Sequence, residues 1–218
     1  MNKPQFLHQY FLNNGGKRLH KWVHYFDIYQ KHFDRFVGRS PVMLEIGVFG
    51  GGSLEMWKNY FGKGSQIIGL DINPECKQHE SEGIEIFIGS QDDETILDLI
   101  KTKYPNIDII LDDGSHVMSH MNKTFTELYD FVDPNGIYMV EDTHTCYWDE
   151  YEGGVGKENS FTEISKALVD ELNAVHTRNV IPTTEFTKTT QSISFYDSII
   201  VFEKAPQGNR QAPITGAM

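Results

Sequence analysis

The chain has 218 residues, 39% hydrophobic and 23% charged, which suffices for one α/β domain with a well-buried core. No run of about 18 apolar residues occurs, so no membrane span is expected, and the N-terminus lacks the continuous apolar stretch of a secretory signal. A net charge of −12 repels phosphate backbones and makes nucleic acid a poor partner, and two cysteines, Cys76 and Cys146, fit no thiolate metal spacing, so a reducing cytoplasm is the expected compartment.

Residues 5–37 are predicted to be helical. Trp22, Phe26, Tyr29, Phe33 and Phe36 recur at three- or four-residue steps and form one apolar face, read as packing rather than recognition. Gly15-Gly16 separates a short first helix from this longer one, and Gly38 and Pro41 end it. Residues 1–40 thus form an N-terminal helical segment, a candidate lid or homo-oligomer contact. The main domain is expected over 41–205, with a disordered tail over 206–218.

From Val42 onward, strands and helices alternate. VMLEIG (42–47), QIIGLDI (66–72), IEIFIG (84–89), DIILDD (108–113) and IYMVED (137–142) read as strands, the last entered through a DPNG turn at 133–136. Helices are expected over 53–61, from Pro74, over 90–104, 117–132 and 161–175. Two further strands, 185–195 and 198–203, meet at Asp197. Alternation of this kind implies a parallel sheet covered on both faces. Five βα units and a closing pair resemble the Rossmann-like, seven-stranded class I methyltransferase sheet, whose last strand inserts antiparallel.

The turn Glu45-Ile46-Gly47-Val48-Phe49-Gly50-Gly51-Gly52-Ser53 lies where the first strand enters a helix. Glycines there let backbone pass close to a ligand. A dinucleotide loop presents its helix N-terminus to a pyrophosphate. Here an acidic residue precedes the loop, which suits a ligand with an ammonium group and no phosphate, such as S-adenosylmethionine. Glu45, Gly47, Gly51 and Ser53 are counted with that site. Asp71, at the end of the second strand, is placed to accept both ribose hydroxyls, or else to cap the helix at Pro74. Ser90 and Gln91 end the third strand at the adenine position, and Ser90 with Asp93 also reads as a capping pair.

Asp112-Asp113-Gly114-Ser115-His116 ends the fourth strand and Glu141-Asp142-Thr143-His144 the fifth. Neighbouring parallel strands bring their carboxyl ends together at the ligand crevice. Two acidic pairs there repel unless a cation joins them, and a hard divalent ion such as Mg²⁺ suits oxygen ligands. Asp112 is read as a cofactor or backbone contact. His144 is a second candidate base or an exposed loop residue. Tyr147 and Trp148 are either an aromatic wall for a sugar ring or core packing.

These motifs, LEIGVFGGGS, GLDINP, LDDGSH and VEDTHTCYW with HKWVHYFDIY upstream, resemble the metal-dependent sugar O-methyltransferases of macrolide biosynthesis and the bacterial methyltransferases grouped with cephalosporin hydroxylase. The resemblance implies that Asp113, Glu141 and Asp142 bind the metal and that His116 is the general base. It also implies that Glu45, Gly47, Asp71 and Gln91 line the cofactor site. The chain is expected to lack the large N-terminal auxiliary domain of some macrolide enzymes, which leaves acceptor and subunit number open.

The expected reaction is in-line transfer of a methyl group to a hydroxyl of a sugar or glycosylated metabolite. The metal acidifies that hydroxyl and His116 takes its proton. Alternatives are a catechol-type O-methyltransferase and a silent S-adenosylmethionine-binding module, though simple binding needs no acidic pairs. Iron hydroxylase chemistry is weaker, because no two-histidine, one-carboxylate arrangement stands out.

Overall fold

The computed structural model describes residues 5–208 and 210–216. The expected tail falls outside the described residues at Asn209, Ala217 and Met218, and its described part contains no helix or strand. Seven strands make one sheet in the order β3-β2-β1-β4-β5-β7-β6. They are β1 (Val42–Ile46), β2 (Gln66–Asp71), β3 (Ile84–Ile88), β4 (Ile107–Asp112), β5 (Val132–Val140), β6 (Thr190–Tyr196) and β7 (Ile199–Lys204). The first five are parallel, and β7 runs antiparallel between β5 and β6.

Alternation along the strands sorts side chains into two cores. Met43, Ile67, Ile109 and Met139 face the layer of α1 (Phe6–Leu12), α2 (Tyr25–Phe33) and α3 (Gly52–Phe61), where Trp57 is fully buried. Leu44, Ile68, Ile110 and Val140 face α4 (Glu94–Lys103), α5 (Met118–Leu128) and α6 (Phe161–Leu172). Glu45 shares the parity of Met43, so the first strand turns one carboxylate into the first of these layers. Among the described residues, no helix is long and apolar enough to cross a membrane.

Three local readings are corrected. The 185–195 strand begins as a helix, α7 (Glu185–Thr189), because Thr184 and Thr187 form a reciprocal capping box. The DPNG segment lies inside β5, where Asn135 N–H bonds the Asp133 carboxylate and the register against β4 slips between Ile107 and Ile109. Residues 17–24 are not helical but form a strap across the strand tips. The Arg18 carbonyl accepts from Gly52 N–H at 3.1 Å, and Lys17 pairs with Glu55 at 2.9 Å. Phe26, Tyr29, Phe33 and Phe36 pack as expected, whereas Trp22, on the strap, stays 52% exposed.

The strap and His79 also explain the glycine run. A Cβ on Gly50 or Gly52 would lie 2.6 or 2.5 Å from Arg18 atoms, and one on Gly51 would lie 2.6 Å from the His79 ring. Gly47 is different. Its φ is +93° and a Cβ would sit 2.0 Å from the Asp113 carbonyl oxygen. Gly47→Ala is expected to cost at least about 2 kcal/mol, from left-handed strain plus overlap. An unchanged urea-unfolding midpoint would show that the Asp113 carbonyl can move aside.

Candidate functional site

The carboxyl ends of β1, β2, β4 and β5 open onto two cavities that share Gly47, Asp71 and Gly114 as walls. One, of about 370 Å³, runs under the strap past Trp22, Tyr25, His116 and Asp142. The other, of about 170 Å³, runs toward β3 past Ser90, Gln91 and His120.

Between the strand tips lies a residue that sequence reasoning missed. The Lys21 ammonium reaches Asp113 Oδ2 at 2.7 Å, Glu141 Oε2 at 3.0 Å and Glu45 Oε1 at 3.2 Å. Three strands thus share one buried cation, carried in by the strap. Burial works against the Lys21 charge, but Asp113, Glu141 and Glu45 outweigh it and hold the ammonium protonated well above its ordinary range. Burial raises the pKa of Glu45 and raises that of Glu141 strongly, while Lys21 opposes both shifts. The signal available in the sequence was a lysine inside an aromatic-rich segment of a strongly acidic chain.

Glu45 was expected to meet a ligand's ammonium group. It is 0% exposed, and its carboxylate is taken by the chain's own Lys21 and by Ser53 Oγ at 2.7 Å. Glu45, Gly51 and Ser53 therefore support the cofactor loop from behind and do not line either cavity. Asp71 lines both. Its Oδ2 accepts from Val48 and Phe49 N–H at 2.8 and 3.1 Å, and its Oδ1 from Asn73 N–H at 2.8 Å. The cap of the following turn is Asn73, not Asp71.

Gln91 and Asp112 form a buried pair, with Gln91 Nε2 donating to Asp112 Oδ1 at 3.1 Å and Gln91 Oε1 accepting from Ser115 N–H at 2.6 Å. Burial pushes the Asp112 carboxyl up to about 7. Asp112 thus fixes Gln91 and the β4 loop, as a backbone and side-chain contact. Ser90 Oγ bonds Asp92, Asp93 N–H bonds the Ser90 carbonyl, and the Asp93 carboxylate caps α4 through Thr95 N–H. His120 bonds Ser115 and faces Asp92.

The acid cluster divides in two. Asp113, His116 and Asp142 each offer a ligand atom, all within 4.8 Å of one another. His116 Nε2 lies 3.9 Å from Asp113 Oδ1 and 3.7 Å from Asp142 Oδ2. Glu141, expected as a third ligand, has both oxygens engaged, one by Lys21 and the other by Tyr29 Oη at 2.6 Å. Tyr25 Oη donates to Asp142 Oδ1 at 2.6 Å. Tyr25 and Tyr29, four residues apart on one face of α2, therefore orient the consecutive acids Glu141 and Asp142. Burial, then the Asp142 hydrogen bond, pushes the Tyr25 phenol far up, so it acts as a donor.

Oxygen donors from Asp113 and Asp142 suit a hard divalent ion. That the fold already brings an ammonium among the neighbouring carboxylates shows that this corner calls for positive charge. His116 and Asp142 also sit in the left-handed region, with φ of 59° and 53°. Such strain costs about 1–2 kcal/mol per residue and concentrates where geometry serves function. Cys76, which also lines the larger cavity, has its thiol pushed up to about 11, chiefly by burial, so it is no thiolate nucleophile.

No family model matches the chain. It is 39% identical over 155 residues to the mycinamicin VI 2''-O-methyltransferase of Micromonospora griseorubida, covering 66% of this chain and 38% of that protein. It is 34% identical over 197 residues to the 8-demethyl-8-alpha-L-rhamnosyl tetracenomycin-C 2'-O-methyltransferase of Streptomyces olivaceus, covering 84% and 51%. The chain thus spans about half or less of the length of these curated relatives. Among solved structures it resembles the MycE methyltransferase of mycinamycin biosynthesis in complex with Mg, SAH and mycinamycin VI, at 29% identity and a TM-score of 0.79, over 92% of this chain and 53% of that one. A putative caffeoyl-CoA O-methyltransferase from Staphylococcus aureus, 13% identical with a TM-score of 0.55 over 94% and 99%, shares the fold alone. Sheet order, the antiparallel β7 and these relatives agree: the chain has the class I methyltransferase fold and is a homologue of the sugar O-methyltransferases that act in macrolide and tetracenomycin biosynthesis.

Proposed function

We propose that the chain transfers a methyl group from S-adenosylmethionine to a hydroxyl of a glycosylated small molecule, with Mg²⁺ held by Asp113 and Asp142. The observation that carries this reading is His116 Nε2 within 4 Å of both carboxylates, where all three residues line the larger cavity. The donor supplies an activated methyl on sulfur, and the cation lowers the pKa of the acceptor hydroxyl.

The chain's own residues do the rest. Asp71 binds the donor's ribose while its backbone bonds fix the glycine loop. Ser90, Gln91 and His120 wall the adenine side, with Gln91 locked by Asp112. His116 takes the acceptor's proton at Nε2, a step a histidine performs near neutral pH. Tyr25 keeps Asp142 turned to the cavity. The strap excludes water from the side of Lys21 and Trp22. A net charge of −12 favours a neutral glycoside over nucleic acid, and two free, buried cysteines suit the cytoplasm.

The test is incubation with labelled S-adenosylmethionine and a panel of glycosides and catechols, in Mg²⁺ or in chelator. Label should reach a glycoside in Mg²⁺ and fall by at least about 10²-fold in chelator. Equal transfer in both conditions removes the metal, and transfer to catechols alone removes the sugar.

A further inference from the structure

Trp22, His144, Trp148 and Tyr151 form a continuous aromatic row that ends at the proposed base. Trp22 and His144 have ring centroids 6.0 Å apart, His144 and Trp148 4.8 Å, Trp148 and Tyr151 6.0 Å, and Tyr151 and His116 6.4 Å. Trp22 is 52% and Trp148 44% exposed, so the packing alternative for Trp148 fails. Tryptophan is the side chain with the most apolar surface to lose on burial, and two exposed ones packed on the same imidazole, Trp22 at the edge of the larger cavity, mark a binding surface.

We propose that this row is the platform for the acceptor's sugar ring, with Trp22 and Trp148 stacking on the ring's C–H faces and His144 binding a hydroxyl between them. The proposal deepens the reading of the chain as a sugar methyltransferase. Three observations favour a sugar as the occupant. The rings meet nearly at right angles, 80° between Trp22 and His144 and 69° between His144 and Trp148. They therefore make a corner for a compact ring rather than a slot for a flat one. Hydrogen-bonding groups interrupt the apolar faces. His144 Nδ1 is bonded to Ser198 Oγ at 2.6 Å, which directs Nε2 outward, and Asp142 lies 3.9 Å from the same imidazole. Finally, the row leads from solvent to His116, so a ring resting on it brings a hydroxyl toward the residue that takes its proton.

The chain's tryptophans make the test direct. Of three, Trp57 is fully buried and the other two are in the platform. The protein, saturated with S-adenosylhomocysteine and Mg²⁺, is titrated with methyl rhamnoside and, separately, with catechol, following tryptophan emission. Methyl rhamnoside should change the emission saturably, and Trp148→Ala and Trp22→Ala should each weaken its binding roughly tenfold or more. Affinity for S-adenosylhomocysteine should be unchanged in both variants, and Trp148→Phe should restore most of the sugar affinity. Both alanine variants binding methyl rhamnoside as the parent does, a response to catechol alone, or no response to either would overturn the platform. A glycoside that binds here but receives no methyl group sinks the proposed reaction and leaves the platform standing.

Discussion

Lys21→Met is expected to lower the unfolding free energy by about 3–5 kcal/mol at pH 7.5, the usual cost of removing one partner from a buried ion pair. The variant keeps the apolar stem and deletes only the ammonium, leaving Glu45 and Glu141 buried without their cation. The deficit has a pH signature. Burial already raises both carboxyls above their ordinary value of 4.5, and loss of Lys21 raises them further. A carboxyl whose folded pKa is raised binds more protons folded than unfolded, so stability falls as pH climbs from about 4.5 toward the folded value. Urea unfolding at pH 5 and pH 7.5 should therefore show the smaller loss at pH 5. A loss below about 1 kcal/mol at both values would mean that the ammonium does not lie among the three strands.

His116→Asn is expected to cut turnover by about 10²–10⁴-fold, the contribution of a general base. Asparagine is the choice because it tolerates the left-handed backbone that His116 adopts, whereas alanine would mix loss of the base with strain. Stability should stay within about 0.5 kcal/mol of the parent. S-adenosylhomocysteine affinity, by calorimetry, should be unchanged. A variant that keeps more than a tenth of parental turnover would exclude His116 as the base, and a variant that loses cofactor affinity would make it a cofactor residue.

That Asp113, His116 and Asp142 lie near one another was legible from the sequence because strand ends are local features. Apolar runs that stop at LDDGSH and VEDTH put their acids at the sheet's carboxyl edge, and adjacency of β4 and β5 makes them neighbours. The same rule puts Asp71 and Gln91 at that edge, where both line the smaller cavity. The partners of Glu141, Lys21 and Tyr29, lie 120 and 112 residues away, so no local feature of the strand announces them. The same holds for Glu45: an acidic residue before a glycine loop suits an ammonium group, and nothing in the strand shows that the chain's own Lys21 supplies one.

Alternating hydrophobic runs and glycine stops determined by themselves the number of strands and the place of the acids, because each depends on period and on neighbours a few residues away. Only the folded chain decided that residues 17–24 leave the helix, that the glycine run seats a strap, and that Trp22 and Trp148 pack on the same His144. The course of residues 17–24 goes with one long-range electrostatic contact. Three carboxylates at the tips of β1, β4 and β5 are costly to bury unpaired, and Lys21, in the non-helical segment, pairs with all three.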